Sequence, residues 1–80
     1  MKLLVRNLSR LTTELQLQEL LERYGKVQSC DLVLDKGTGA SKGFGFVEMP
    51  SQGEAKAAVK SLNGLELDGN KIRVKKADAS

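Results

Sequence analysis

Lys42-Gly43-Phe44-Gly45-Phe46-Val47-Glu48-Met49 contains a strand, Gly43 to Met49, whose side-chain parity says which way its sheet faces. Side chains along a strand alternate faces with a period of two. Lys42, Phe44, Phe46 and Glu48 therefore share one face, and Gly43, Gly45, Val47 and Met49 the other. If the phenylalanine face were the core, Lys42 and Glu48 would be buried beside it without an obvious partner, which is costly. If the Val47/Met49 face is the core, the glycines let a helix approach closely. The second arrangement is cheaper, so Phe44 and Phe46 are expected on an exposed face. The competing reading makes the pair ordinary core, where most phenylalanines sit, but it leaves the Gly-Phe-Gly-Phe spacing without a reason.

On either side of this strand the chain alternates between two periodicities. Lys2 to Arg6 reads as a strand with Leu3 and Val5 on one face and Lys2, Leu4 and Arg6 on the other. Thr13 is an N-cap, and Gln16 completes a capping box. Leu17, Leu20, Leu21 and Tyr24 then line one helix face, and Gly25 falls past its end. Val27 to Leu34 reads as a strand with Cys30, Leu32 and Leu34 opposite Asp31 and Val33. Residues 35–41 read as a turn. Beyond Met49, Pro50 and Ser51 stop the strand, and Ser51 caps a helix with Ala55, Ala58, Val59 and Leu62 on its apolar face. Asn63-Gly64 ends that helix, and after a short connector Lys71 to Lys76 reads as the last strand. The order is βαββαβ, an α+β ferredoxin-like sandwich. It implies a four-stranded antiparallel sheet with two helices packed on one face.

The other face then meets water or a partner. It carries Lys2, Leu4, Arg6, Asp31, Val33, Lys42, Phe44, Phe46, Glu48, Arg73 and Lys75. Five of these are basic, and the chain has only three aromatic residues, two of which lie here. Exposed aromatics among cations form a stacking platform for nucleic-acid bases, with the cations reaching phosphates.

Composition limits the alternatives. Eighty residues make one domain, 1–80, of a size that buries only about 60% of its unfolded surface. Apolar residues are 40% and charged residues 29%, as in a soluble globular domain. No apolar run exceeds three residues, so no membrane partner is expected. The leading residues lack an export signal, so the expected address is the cytoplasm. The single cysteine excludes an internal disulfide, and the absence of histidine leaves metal binding and general-base chemistry poorly supplied. Neither an enzyme nor a cofactor or metal is expected. The net charge of +3 points weakly to an anionic partner.

The octamer Lys42–Met49 resembles the third-strand signature of the RNA recognition motif, K/R-G-F/Y-G/A-F-V-x-F/Y, at seven of eight positions. Leu3-Leu4-Val5-Arg6-Asn7-Leu8 is similar to the family's first-strand signature at five of six. The likeness continues through D-K-G-T-G-A-S-K-G, L-N-G and L-D-G-N-K-I-R-V, over essentially the whole chain. It implies that Phe46 stacks under one base, Phe44 packs against sugars between two nucleotides, and Lys42 pairs with a phosphate. The position that usually stacks a second base falls on Leu4, which has no π-face. That departure implies a loss on the order of 1–3 kcal/mol and a weaker or less selective binder. Arg6, Lys2, Arg73, Lys75 and Asp31 are further candidates by face, with Asp31 either accepting from a base amino group or merely repelling phosphate. In length the chain resembles stand-alone bacterial and cyanobacterial members, many of which add a glycine-rich or basic tail to the domain.

The expected function is single-stranded RNA binding of modest affinity by a monomer, with single-stranded DNA as a related ligand. A peptide-binding module on the same face is the alternative, favoured by the aliphatic Leu4. The stretch G-T-G-A-S-K-G, residues 37–43, is a hairpin loop and not a phosphate loop, because Lys42 precedes a strand where a phosphate loop needs a helix. A phosphate-handling hydrolase on this plan is disfavoured: Arg6 and Asn7, adjacent on a strand, would point to opposite faces. Cys30 is expected to be a buried small hydrophobe.

Overall fold

The computed structural model describes residues 1–77. Asp78-Ala79-Ser80 lies outside the described residues. The elements are β1 (Lys2–Arg6), α1 (Glu14–Glu22), β2 (Ser29–Leu34), β3 (Ser41–Glu48), α2 (Gln52–Leu62), β4 (Glu66–Leu67), β5 (Asn70–Lys71) and β6 (Arg73–Lys76). Four strands form one sheet in the order β2-β3-β1-β6, with all neighbouring pairs antiparallel. This is the expected ferredoxin-like arrangement. Among the described residues, no helix is long and apolar enough to cross a membrane.

The helices start where local chemistry stops their first turns from fraying. Thr13 Oγ1 accepts from Gln16 N at 3.2 Å, and Gln16 Oε1 accepts from Thr13 N at 2.9 Å. This reciprocal pair satisfies two otherwise orphaned donors. Ser51 Oγ does the same for Glu54 N at 3.4 Å at the start of α2. Leu17 and Leu21 of α1 and Ala55, Ala58 and Leu62 of α2 pack in one cluster with Leu3, Val5, Val47, Met49 and Val74 of the sheet side. Both helices therefore cover one face, and Val47 and Met49 are fully buried beneath them.

The glycines of β3 serve a different purpose from the one expected. A Cβ on Gly45 would lie 2.7 Å from the backbone oxygen of Asp31, in the neighbouring strand. At Gly43 (φ +83°) it would lie 3.1 Å from the Leu8 carbonyl oxygen. Close backbone approach within the sheet and at its end, not helix packing, excludes side chains there. Gly43 bends the strand and lets its carbonyl accept from Leu8 N at 2.8 Å.

Three further expectations need correction. β2 starts at Ser29, because Val27 packs against the core from a loop while Gln28 N donates to Glu48 O at 2.7 Å. The register slips between Leu32, paired with Gly45, and Leu34, paired with Ser41. Leu34 stays on the side of Leu32, lining the same hollow at the start of α1, but it lies past the cover of the helices and is 51% exposed instead of joining the core. The last segment is also not one strand from Lys71. Glu66–Leu67 and Asn70–Lys71 form a separate hairpin, closed by Asp68 (φ 52°) and Gly69 (φ 85°). The sequence signal was Asp68-Gly69, a dipeptide suited to the positive φ angles of a tight hairpin turn.

Candidate nucleic-acid interface

The sheet register places the open-face residues in rows. Leu4 of β1 is opposite Phe46 of β3 on one side and Lys75 of β6 on the other. Phe46 is in turn opposite Asp31 of β2. One continuous row therefore reads Asp31, Phe46, Leu4, Lys75 across the full width of the sheet. In a neighbouring row, Lys2 is opposite Glu48, and Glu48 is opposite Ser29. On the far side of the central row, Arg6 is opposite Arg73.

The parity argument places Phe44 and Phe46 correctly, but their exposure is partial. Both are half-buried, as is Leu4, whereas Lys2, Arg6, Asp31, Lys42, Arg73 and Lys75 are exposed. The two phenylalanine rings meet edge to face, with centroids 6.3 Å apart and planes 87° from parallel. The Lys2 ammonium sits 5.0 Å from the Phe46 ring centroid. Such a cation over a ring is attracted by its quadrupole, by about 0.5–1 kcal/mol at an exposed site. Arg6 against Arg73 is a like-charge pair in directly opposed positions, which destabilises a bare sheet. An anion between them would remove that repulsion.

Two neighbouring hollows of about 250 Å³ each open at the end of the sheet where β1 leaves and β3 enters. Arg10, Lys42 and Phe44 line both. Arg6 and Asn7 line the first of them together. The expectation that these two residues face opposite ways fails because β1 ends at Arg6 and Asn7 adopts a left-handed conformation (φ 59°). Asn7 Nδ2 donates to Lys71 O at 2.7 Å, pinning this corner to the hairpin strand β5. Arg10, which lines both hollows, lies in the loop between β1 and α1 and is absent from the faces that parity assigns. Parity assigns faces only within strands, so a loop cation gives no such signal. A larger hollow of about 360 Å³ lies between the start of α1 and the ends of β2 and β3, among Leu11, Thr13, Leu32, Leu34 and Arg10.

The loop over residues 35–40 is a hairpin connection, as expected: Asp35 Oδ1 accepts from Gly37 N at 2.7 Å and from Thr38 N at 3.2 Å. Cys30 is half-buried, with its thiol 3.7 Å from the Glu14 carbonyl oxygen. Burial, then the negative charges of Glu14, Asp31 and Glu22, push that thiol up to about 11. Among the described residues no group of three side chains has the make-up of a metal site.

A family model described as RNA recognition motif matches residues 3–73. The chain is 44% identical over 78 residues to the 29 kDa chloroplastic ribonucleoprotein of Arabidopsis thaliana, covering 98% of this chain and 23% of that protein. It thus spans about a quarter of the length of the first curated relatives it matches. These relatives include plant, fungal and mammalian proteins, none of which supports the bacterial part of the resemblance. The fold superposes on the crystal structure of RNA binding protein PG1 with a TM-score of 0.93 at 42% identity, covering 96% of this chain and 93% of that one. It superposes on a SXL-lethal protein/RNA complex with a TM-score of 0.92 at 29% identity, covering 99% and 47%.

Proposed function

The chain belongs to the RNA recognition motif family, and from that premise we propose that it binds single-stranded RNA on the open face of its sheet. The observation that carries this reading is the pair of phenylalanines on that face, 6.3 Å apart and bordered by exposed cations. One base stacks on Phe46, and Phe44 packs against the adjoining sugars. A base arriving on Phe46 displaces the Lys2 ammonium from the ring and frees it for a phosphate. Lys42, Lys75 and the opposed Arg6 and Arg73 neutralise the backbone. Asp31, level with Phe46 on the sheet edge, is positioned to accept from a base amino group.

Two phenylalanine contacts worth roughly 1–3 kcal/mol each, with a few phosphate contacts, correspond to micromolar affinity. Few contacts on such a platform need a 2′-hydroxyl, so single-stranded DNA is a second ligand of the same face. The test is a fluorescence-anisotropy titration with an oligouridine, with its DNA counterpart as comparator. It uses the wild type and a Phe44→Ala/Phe46→Ala variant whose fold is checked by NMR. The expected result is micromolar binding that falls at least tenfold in the still-folded variant. No binding by the wild type at high micromolar RNA overturns the reading and moves the ligand to a peptide centred on Leu4.

A further inference from the structure

We propose that the β1–α1 loop carries a backbone-phosphate site of its own, in which Arg10, with Arg6 and Lys42, holds the phosphodiester of a nucleotide that has passed Phe44 and left the sheet. The inference rests on the RNA-binding reading above and extends the footprint beyond the strands that reading uses. Three observations carry it. The hollow framed by Arg6, Asn7, Arg10, Lys42 and Phe44 has three cations in its lining and no carboxylate. Its volume, about 250 Å³, falls just under the roughly 300 Å³ where small-molecule sites begin. It suits one sugar-phosphate unit of a chain that runs on. Finally, Arg10 also borders the adjoining hollow with Phe44 and Lys42; that hollow includes Asp35, whose Oδ1 is taken up by Gly37 N and Thr38 N, so the carboxylate-free hollow is the one that fits a phosphate.

The loop is built to hold that guanidinium in place. Leu8 N donates to Gly43 O at 2.8 Å, Asn7 Nδ2 to Lys71 O at 2.7 Å and Thr12 N to Ser9 O at 3.1 Å. Thr12, only 2% exposed, donates its hydroxyl to Asp68 Oδ2 at 2.7 Å in the β4–β5 turn. These bonds tie the loop to β3 and to the hairpin on either side of Arg10, using backbone groups and the Asn7 and Thr12 side chains. The exposed guanidinium stays outside them, with a planar fork of donors that matches a phosphate. Like charges at Arg6, Arg10 and Lys42 repel one another in the free protein, and one bound anion relieves all three.

A phosphate contact is sequence-independent and releases counterions, so its signature is salt dependence and not base preference. For a single strand each neutralised phosphate contributes about 0.7 to the slope of log K against log salt. Arg10→Ala is therefore expected to flatten the slope by about 0.7, which is roughly a fivefold loss at 0.1 M salt that closes toward 1 M. The loss is equal for oligouridine and oligoadenosine, and Arg10→Lys retains most of the slope. Lys60→Ala, an exposed cation on α2, is the control for net charge. An unchanged slope in Arg10→Ala, with the phenylalanine variant still losing binding, overturns this inference alone. An equal change in Lys60→Ala overturns it in favour of a diffuse charge effect. Wild type that fails to bind RNA overturns it together with the reading it rests on.

Discussion

Leu4 stands in the middle of the open face, between Phe46 and Lys75, at a position where the family's first-strand signature has an aromatic residue. Its neighbour across β3 is already a ring, and aromatic pairs suit directly opposed strand positions. Leu4→Phe is expected to tighten oligouridine binding by roughly 1–3 kcal/mol, the worth of one base stack. Anisotropy titration of wild type and variant side by side measures it, and unchanged affinity would mean that no base reaches β1. The same scale accounts for Cys30. Its thiol is held protonated through neutral pH by burial and by Glu14, Asp31 and Glu22. It has the microenvironment of an inert packing residue rather than of a reactive one.

At the scale of elements, the site depends on how β2 lies against β3. Gly45 permits the Asp31 backbone to come close, and Asp31 and Phe46 are opposed one step further along. Gly45→Ala sets a methyl group against a backbone oxygen that has no rotamer to escape into. We expect a loss of about 1–3 kcal/mol in urea unfolding, with amide protection falling first in β2. Gly53→Ala is the contrasting case: it lies in the first turn of α2 with open space around it. There the same substitution is expected to stabilise by roughly 0.5–1 kcal/mol, by removing backbone entropy from the unfolded chain. Equal effects at the two positions would refute the close-approach explanation for Gly45.

For the whole molecule, a net charge of +3 is too small to hold RNA at long range. Binding therefore depends on where the cations are. Three phosphates neutralised on the sheet correspond to a salt slope of about −2, and the Arg10 site takes it to about −2.8. A titration from low to moderate salt reads this directly, and a flat line would remove phosphate contact from the mechanism. The opposed Arg6 and Arg73, together with Arg10 and Lys42 at one end of the sheet, concentrate positive potential on the side away from the helices.

Although the β4–β5 hairpin was not, the order of the four sheet strands and two helices, both helix starts and the partition of β1 and β3 into core and open faces were legible in the residues. Each depends on neighbours a few positions away: Thr13 with Gln16, or Leu3 and Val5 alternating with Lys2, Leu4 and Arg6. The stacking candidates Phe44 and Phe46 were legible for the same reason. The close approach at Gly45, the register slip before Leu34 and the shared hollow of Arg6, Asn7 and Arg10 were not. Each is set by a partner distant in sequence: the Asp31 backbone for Gly45, Ser41 for Leu34, and Lys71 and Gly43 for the corner at Asn7. Side-chain alternation is a property of one strand, so it foretells faces. Where two strands touch, and where a loop cation comes to rest, follows from packing between segments that alternation does not describe.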